Sequence, residues 1–463
     1  MKRIIVASLL LLLSACVSST PRADRPSPMP IPLPTDTLPL ERSPKPTSLA
    51  PPWIVWERQL DNHGNADMAW EVAETSHRDL LLVGITGPTP CQLGCNWDGW
   101  VVKIDAQGNT LWTRQFGGNG ADLLTSVILQ EDYYVAVGSK YVFPQARQAW
   151  VLEMDSHGNL VWEKTLGGNQ DDSGVGIVAA PDGGFFVIGQ TKSFGTRDGK
   201  SDVWLIRLSA SGDTLWTKTY DLGDEDMGTW ILPFQSGKYI ITAVTCTAAC
   251  GGLNQQGFAT YLVIDAAGNV QKTKTFAEGP KNKFRKIKPT LDGGAVIVGA
   301  TSMEEKFPSE DAWVIKLDAN GEVSWTRILR SYGRYDGGFD IVQTSEGGYV
   351  MAAYSQIEQT PEMNFDNFWM VGLNSAGDVV WTKTWGGPDN DDLYAVIPTS
   401  DGGLVFAGFK GAVSWPLNAI PGAADFYVMK TTANGAHVFL PALAKLCTAG
   451  TVSSPGEQRA SSE

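Results

Sequence analysis

Two short acidic runs hold the residues best suited to binding a hard metal ion. Asp224, Glu225 and Asp226 form the first run, and Asp389, Asp391 and Asp392 form the second. Ca²⁺ prefers oxygen ligands, but neither run has the spacing of an EF-hand loop. An Asp near the beginning of a strand also accepts backbone N–H bonds from the adjoining turn. The sequence favours this structural role, with no cofactor, and Ca²⁺ binding is the alternative.

A second group of residues is suited to contact with a partner molecule. Its aromatic members fall in segments of variable sequence: Tyr141, Phe143, Phe194, Phe307, Phe365 and Trp415. An aromatic rim suits the binding of a sugar or a protein, and it equally suits loops that pack on one another. A positive run, residues 279–288, adds Lys281, Lys283 and Arg285. We expect this run to lie in a loop, where it docks an anionic partner or glycan or is simply solvated.

Motifs of the common enzyme classes are absent from the sequence. It has no Gly-x-Ser-x-Gly element, no His-Glu-x-x-His element and no glycine-rich phosphate loop. The four histidines, His63, His77, His157 and His437, lack the spacing of a metal site. Scattered Asp and Glu pairs still permit glycosidase chemistry. We therefore expect a non-catalytic protein, and a carbohydrate-active hydrolase or lyase is the alternative.

The six cysteines fall into a lipidation candidate, two local pairs and one residue left over: Cys16, Cys91 with Cys95, Cys246 with Cys250, and Cys447. In an exported protein, two disulfides that close small loops are expected. A zinc site of four cysteines is the rival interpretation, and it requires two distant repeats to touch. Cys447 is either a free thiol or an intermolecular link.

A repeated pattern of short strands positions these residues. Its clearest copies begin at Asp98, Asp202 and Asp311 and contain an Asp-x-Trp strand followed by a glycine turn and a Trp-containing strand. The turn glycines lie 50 to 58 residues apart: Gly108, Gly158, Gly212, Gly268, Gly321, Gly377 and Gly435. This period predicts an all-β fold of seven radially arranged, four-stranded antiparallel sheets, that is, a seven-bladed β-propeller.

The third repeat shows how each sheet is expected to form. Alternation of apolar and polar residues predicts strands at 174–180, Phe185–Thr191, Asp202–Leu208 and Thr214–Tyr220, and no segment has a helical period. The tryptophans of the fourth strands should pack between neighbouring sheets: Trp56, Trp112, Trp162, Trp216, Trp325 and Trp381. Lys272 and Phe439 take this position in two repeats, so we expect weaker joints there.

The first strand of the fold lacks a sheet of its own. Residues 56–60 copy the Trp-containing fourth strand of the repeat, but they precede the first complete copy. We expect this N-terminal strand to lie beside residues 426–431 and to close the propeller, since an unpaired β edge would otherwise remain.

The pattern resembles the β-propeller repeats of bacterial secreted and surface lipoproteins over residues 53–441. This resemblance implies a fold and no activity, since most members have none assigned. The repeat is also distantly similar to the Trp motif of quinoprotein-type propellers, which include the outer-membrane β-barrel assembly lipoprotein. The segment 105–108 is one residue shorter than in that motif, and no adjacent cysteine pair is present, so pyrroloquinoline quinone is not supported.

The ends of the chain predict export and anchoring. Residues 1–16 combine Lys2 and Arg3 with an apolar run and end in Leu-Ser-Ala-Cys, which resembles a lipoprotein lipobox with Cys16 as the acylated residue, a palmitate carrier. In that resemblance, Val17 favours the outer membrane. Residues 17–52 contain eleven prolines and predict a disordered tether, and residues 442–463 predict a disordered tail.

The composition of the chain limits the classes of molecule that we expect it to bind. The formal net charge of −14 disfavours nucleic acid and anionic lipid headgroups as partners. We expect a monomer that touches the membrane through its lipid anchor alone. The predicted function is a binding or scaffold module of the cell envelope for a protein or a polysaccharide, with a helper in outer-membrane assembly as a further alternative.

Overall fold

The computed structural model describes most of the chain between residues 54 and 432. The described ranges are 54–88, 96–130, 132–144, 146–197, 199–235, 237–246, 257–277, 279–302, 309–331, 335–360, 363–387, 389–412 and 424–432. The predicted signal segment, tether and tail lie outside them, as do Cys16, Cys91, Cys95, Cys250, Phe307, Trp415, Phe439 and Cys447. The described residues form β-strands and no helix, so none of them form a helix able to span a bilayer.

The strands follow one another as antiparallel meanders of four. The first part of the chain contains β1 (Ile54–Leu60), β2 (Ala66–Glu74), β3 (Leu80–Gly87), β4 (Asp98–Ile104), β5 (Thr110–Phe116), β6 (Leu123–Leu129), β7 (Tyr133–Val142), β8 (Ala146–Asp155) and β9 (Leu160–Leu166). The middle part contains β10 (Asp172–Ala179), β11 (Phe185–Thr191), β12 (Asp202–Leu208), β13 (Thr214–Tyr220), β14 (Glu225–Phe234), β15 (Lys238–Cys246), β16 (Gly257–Asp265) and β17 (Val270–Phe276).

The remaining strands complete the same plan. They are β18 (Lys281–Pro289), β19 (Ala295–Ser302), β20 (Asp311–Leu317), β21 (Val323–Leu329), β22 (Asp336–Gln343), β23 (Tyr349–Thr360), β24 (Met363–Leu373), β25 (Val379–Trp385), β26 (Asn390–Pro398), β27 (Leu404–Ala412) and β28 (Asp425–Thr431). In the third repeat, the predicted bounds of β11, β12 and β13 are confirmed, and β10 begins two residues before its predicted start.

Pairing groups these strands into five four-stranded sheets and one eight-stranded sheet among the described residues. The eight-stranded sheet holds the two meanders β14–β17 and β18–β21. They are joined through one parallel residue pair, Gly257 with Lys281. The strand β1 pairs antiparallel with β28, from Ile54 opposite Thr431 to Leu60 opposite Phe426, in a sheet ordered β1-β28-β27-β26. The first strand of the fold therefore lies against the last, as the sequence predicts.

The first strands of the meanders lie side by side around an axis. Contacts run from β2 to β6, β10, β14, β18, β22 and β26, and from β26 back to β2. Each of these seven inner strands contains a β-bulge at the same place in the repeat. A bulge adds one residue and re-aims its side chain. The seven bulged residues are Trp70, Thr125, Val175, Thr229, Arg285, Phe339 and Tyr394. The space that they surround is called here the axial channel.

The repeated tryptophans lie at the joints between sheets, as predicted. The turn glycine of one sheet sits over the outer Trp of the preceding sheet: Gly108 over Trp56, Gly158 over Trp112, Gly212 over Trp162, Gly268 over Trp216 and Gly377 over Trp325. These glycines have φ between +75° and +85°, a region that a side chain disfavours. Where the sheet of β1 meets the sheet of β2–β5, the Trp56 indole also donates to the carbonyl of Ala106 over 3.0 Å.

At the joint where Lys272 takes the place of the tryptophan, polar contacts connect the two sheets. Lys272 donates to the carbonyl of Gly321 over 2.7 Å, and the Tyr261 hydroxyl donates to the same oxygen over 2.8 Å. Lys272 also pairs with Glu322 at 2.6 Å. This sequence position thus keeps its contact between sheets through a different chemistry.

Candidate functional site

The axial channel has two unlike sides at the level of the bulges. On one side, four consecutive inner strands contribute Arg285, Phe339, Tyr394 and Trp70. On the other side, the inner strands contribute the smaller Thr125, Val175 and Thr229. The four large side chains are only half-buried although they lie in the middle of inner strands. Their uncovered surface therefore faces the channel, where the small residues leave room opposite them.

The large side chains form a continuous wall. The Arg285 guanidinium lies 3.6 Å from the centroid of the Phe339 ring and 5.7 Å from that of Tyr354. The Phe339 and Tyr394 rings lie 4.2 Å apart in an edge-on arrangement. Trp70 continues the wall with its ring centroid 6.1 Å from that of Tyr394. Such contacts fix the aromatic faces in place before any ligand arrives.

One residue beyond the bulges, a buried ion cluster crosses the channel. Lys286 of β18 approaches Glu71 of β2 at 2.9 Å and Asp340 of β22 at 3.4 Å. Lys286 also donates to the carbonyl of Tyr394 on β26 over 3.2 Å. Lys288 lies 3.5 Å from Asp340 and 3.8 Å from Glu71, so two positive and two negative charges balance. Burial lowers the pKa of Lys288, but the two carboxylates outweigh it and the pKa is raised, which keeps this lysine charged.

This cluster lies across the channel at one level. Lys286 connects three other inner strands, and its ammonium group lies 4.9 Å from the Trp230 ring of a fourth. On the opposite side, a Cβ added to Gly176 would meet Trp230 Cε3 at 3.5 Å, so the indole fills the space beside that glycine. The cluster and the indole therefore bound the space beside the bulged residues, and this space, toward the beginnings of the inner strands, is called here the axial pocket.

Charged groups surround the wall of the axial pocket. Lys283 donates to Glu310 over 2.7 Å, and the Tyr354 hydroxyl donates to the other Glu310 oxygen over 3.3 Å. Gln356 donates to Asp366 over 3.2 Å. Tyr354 lies over the inner strand β22, since a Cβ added to Gly337 would meet its ring at 2.4 Å. This glycine therefore makes room for the tyrosine.

The carboxyl groups of this region titrate in opposite directions. Burial raises the pKa of Asp366 to about 6. Burial, followed by the nearby Asp366 charge, raises the pKa of Asp392 well above its ordinary value. Burial raises the pKa of Glu310, but the charge and hydrogen bond of Lys283 together with the charges of Arg285 and Lys281 outweigh it, so the pKa of Glu310 is lowered. The region thus contains two carboxyl groups whose pKa values are raised beside one whose pKa is lowered.

Two buried polar atoms of the wall lack a hydrogen-bond partner among the described residues. They are the Trp70 indole nitrogen, a donor, and Asp392 Oδ1, an acceptor when ionised. The side chain of Asp392 also bonds to Tyr394. A buried polar group without a partner costs about 1–3 kcal/mol, so such atoms suggest a bound molecule or water.

The positive run does not lie in a loop as expected. Residues Lys281–Pro289 form the inner strand β18, and a loop assignment for Lys281, Lys283 and Arg285 is wrong. Alternate residues of this strand face the channel, so the charges of Lys286 and Lys288 are neutralised by other inner strands. Burial lowers the pKa of Lys281, while Lys283 and Arg285 lie at the pocket as described above. A solvated run is therefore excluded for most of this segment.

The predicted aromatic rim is only partly exposed. Phe143 and Phe194 expose 78% and 49% of their surface, and Tyr141 exposes 36%. Phe365 is buried at 7% exposed in β24, so its expected exposure is wrong. Phe365 lies within the β23–β24 hairpin, where it pairs with Ile357. Phe307 and Trp415 lie outside the described residues.

The two acidic runs are divided among different roles. Asp224 pairs with Arg197 at 3.2 Å, and Glu225 accepts from the Ser201 hydroxyl over 2.8 Å. Asp226 accepts backbone N–H bonds from Leu222 and Gly223. In the second run, Asp391 accepts N–H bonds from Gly387 and Gly411, whereas Asp392 faces the axial pocket and Asp389 precedes β26. Neither run converges on one point, so the structural role favoured by the sequence holds for Asp226 and Asp391.

Cys246 ends β15 and is disulfide-bonded. Its partner lies outside the described residues, so the pairs Cys246–Cys250 and Cys91–Cys95 stay predictions.

The pocket residues gave few signals in the sequence. Lys281, Lys283, Arg285 and Asp392 were candidates, but as parts of loops. Trp70, Phe339 and Tyr394 were missed because a bulge cannot be read from alternation alone. The usable signal was the run of Lys and Arg residues in β18, since the other inner strands contain neither residue type.

Comparison with known proteins shows likeness of fold alone. No family model matches the chain, and no curated protein sequence matches it. Among solved structures, the chain is similar to the Pan2 WD40 domain of Neurospora crassa (9% identity, TM-score 0.45, 83% of this chain and 97% of that one). It is also similar to a catalytically inactive virginiamycin B lyase from Staphylococcus aureus with quinupristin (11%, 0.48, 81% and 98%). A third likeness is to the periplasmic gluconolactonase of Pseudomonas aeruginosa (11%, 0.45, 76% and 97%). These similarities are too low to carry an argument about activity.

Proposed function

We propose that this protein is a lipid-anchored, seven-bladed β-propeller of the cell envelope that binds a carbohydrate in its axial pocket without transforming it. The observation that carries the proposal is the axial pocket itself. It is bounded at one level by the cluster of Lys286, Glu71 and Asp340, and it is lined on one side by aromatic rings.

The seven-bladed form is supported by the repeat and by strand pairing. The eight-stranded sheet counts as two blades, since β16 and β18 share one residue pair while every other neighbouring pair shares several. The pairing of β1 with β28 would then close the propeller by completing the last blade with the first strand. Closure of this kind leaves no free β edge between the ends of the chain.

The chemistry of the pocket suits a sugar. Aromatic faces pack against the apolar face of a pyranose ring, and carboxylates, indole N–H groups and guanidinium groups bond to its hydroxyls. Trp70 Nε1 and Asp392 Oδ1 provide one donor and one acceptor that are buried without partners among the described residues. The small residues Thr125, Val175 and Thr229 leave the opposite side of the pocket open. A flat protein surface could not reach these groups.

Anchoring is supported by the sequence of residues 1–52. The lipobox-like end of the apolar run places Cys16 at the acylation position, and the proline-rich segment 17–52 would hold the propeller away from the membrane surface. A location at the outer membrane or cell surface agrees with an exported polysaccharide as ligand.

One observation favours a carbohydrate-active hydrolase or lyase as the second candidate. Asp366 and Asp392 have raised pKa values and Glu310 has a lowered one, within one part of the pocket wall. Pairs of carboxyl groups with pKa values pushed apart serve as acid and base in glycosidases.

Ligand-observed NMR separates these functions. The full chain is mixed with defined chito-, malto-, cello- and xylo-oligosaccharides, and saturation transfer to each is measured before and after a long incubation. We expect transfer to at least one series, with its spectrum unchanged at the end. The appearance of shortened oligosaccharides would show that the protein hydrolyses its ligand and does not only bind it. Absence of transfer to every series would contradict a carbohydrate ligand.

A further inference from the structure

We propose that Asp61, Asp67 and Asp425 bind one Ca²⁺ ion at the place where the first and last strands of the fold meet. One carboxylate oxygen from each residue lies within 4.8 Å of those from the other two. Oxygen ligands lie about 2.3–2.6 Å from Ca²⁺, so ligands on opposite sides of one ion are about 5 Å apart. The three oxygens are therefore close enough to share a Ca²⁺ ion, with water completing its shell.

The buried member of the cluster has an unused ligand atom. Asp67 is fully buried, and its Oδ2 accepts the backbone N–H of Asn62 over 2.7 Å. Its Oδ1 is also buried and accepts no hydrogen bond of ordinary geometry from the described residues, and the Thr86 hydroxyl lies near the carboxyl group. Asp61 uses its Oδ1 for the backbone N–H of Gly64, and Asp425 accepts from Gln59 at 3.3 Å. The described part of the chain supplies no salt-bridge partner for any of these three carboxylates.

The residues that occupy the positions of Asp61, Asp67 and Asp425 at another joint between sheets include a positively charged side chain. At the joint between β18–β21 and β22–β25, the corresponding residues are Asp336, Asp311 and Arg330. Arg330 follows β21 as Asp61 follows β1, and its Nε lies 2.7 Å from Asp311 Oδ1. That joint therefore has its own cation beside two carboxylates. At the first joint, which lies between β2–β5 and β6–β9, the position of Asp61 is instead a glycine, Gly117.

A second set of three carboxylates has an arginine beside one of its members. Asp202, Asp221 and Asp226 occupy the same repeat positions and also have one oxygen each within 4.8 Å. There, Arg197 pairs with Asp221 at 2.5 Å. Among the described residues we therefore assign one Ca²⁺ ion, at the joint where Asp61 and its partners have no such arginine.

The position of the ion gives it a structural role. Asp61 follows β1, Asp425 begins β28 and Asp67 lies in β2. One ion bound to all three would tie the N-terminal strand both to the last strand and to the first complete sheet. Ca²⁺ would then stabilise the contact between the two ends of the propeller without involving the axial pocket.

Calorimetry and thermal unfolding of the chelator-treated full chain test this site, with CaCl₂ alone as the probe. We expect one binding event and a rise in Tm on the order of 5 °C at saturating Ca²⁺. Asp61→Asn should remove both effects, and because Asp61 is exposed the variant should fold. Asp122→Asn, at the first joint, is the matched control and should keep them.

Any one of three results would overturn the assignment. The first is that the wild-type chain does not bind Ca²⁺, and the second is that Asp61→Asn binds Ca²⁺ as the wild type does. The third is that the binding event is lost in Asp221→Asn but kept in Asp61→Asn.

Discussion

Lys286 and Glu71 lie 215 residues apart in the sequence, yet their charged groups meet at 2.9 Å across the axis of the molecule. Lys286 belongs to β18 and Glu71 to β2, and two inner strands separate them around the axis. Both side chains are buried, so this contact both bounds the axial pocket and connects distant parts of the fold.

The ion cluster predicts a large loss of stability when one acid is removed. In Glu71→Gln, the two lysines keep Asp340 as their carboxylate, and one buried positive charge loses its counter-ion. We expect the free energy of unfolding to fall by about 2–4 kcal/mol in urea titrations. Asp213→Asn, which breaks the exposed pair with Lys164, should leave it nearly unchanged. Equal effects of the two variants would show that the axial cluster is not a buried network.

The tryptophan joints predict a difference between two glycine substitutions. Gly212 has φ +78°, and an added Cβ would meet the Trp162 ring at 2.7 Å. Gly402 has φ +84°, but nothing lies within 4 Å of an added Cβ. Gly402→Ala should cost about 1–2 kcal/mol through its backbone alone. Gly212→Ala should cost about 1–3 kcal/mol more, since the ring must move. Equal losses in chemical denaturation would show that the ring contact contributes nothing.

The raised pKa of Asp366 predicts an unusual dependence of stability on pH. The native state holds the Asp366 proton up to about pH 6, whereas an ordinary Asp releases it near 3.8. The contribution of this group to stability is therefore unfavourable above about pH 6, and it disappears as pH falls toward 4. Asp366→Asn should be more stable than the wild type at pH 7.5, by about 1–3 kcal/mol, and nearly equal to it at pH 4.

Asp105→Asn provides a control of opposite sign. In the wild type, the pKa of Asp105 is lowered because the Asn109 side chain and backbone donate hydrogen bonds to its carboxylate. This contribution is favourable above the ordinary pKa and is lost as pH falls, so the variant should be less stable at pH 7.5. If Asp366→Asn instead destabilises the protein at pH 7.5, burial does not govern this carboxyl group.

The proposed lipid anchor leads to a prediction for the variant Cys16→Ser. In the proposed anchor, acylation of Cys16 would add chains long enough for stable membrane attachment. Cys16→Ser should therefore move the protein from the detergent phase to the aqueous phase in detergent partitioning, with the fatty-acid mass lost from the purified chain. Detergent-phase retention of Cys16→Ser would show that another segment holds the protein at the membrane.

The sequence predicted local structure well where one repeat resembled the others. The bounds of β11, β12 and β13 follow from alternation, and the packing of Trp112 and its equivalents follows from their period. The assignment failed at β18, where Lys and Arg replace the apolar residues expected of an inner strand. These charges are tolerated because acids from β2 and β22 reach them, and such pairs between distant strands leave no local pattern.

The candidate site was less predictable than the fold. Arg285 and Asp392 drew attention by charge, but their place on the axis depends on bulges that shift the strand register by one residue. Phe339 and Tyr394 look like ordinary core aromatics in the sequence. Only the three-dimensional arrangement shows that they meet on one side of the channel.

Affinity measurements on pocket variants test the central claim most directly, using the oligosaccharide series that gives the strongest saturation transfer. In Trp70→Phe the indole donor is removed, and in Val175→Phe the open side of the axial pocket is filled. Phe143→Ala, on an exposed loop, is the matched control. We predict at least about a tenfold loss of affinity for both pocket variants, equal to about 1.4 kcal/mol, and unchanged affinity for the control. Unchanged affinity in both pocket variants, or a loss confined to Phe143→Ala, would contradict binding in the axial pocket.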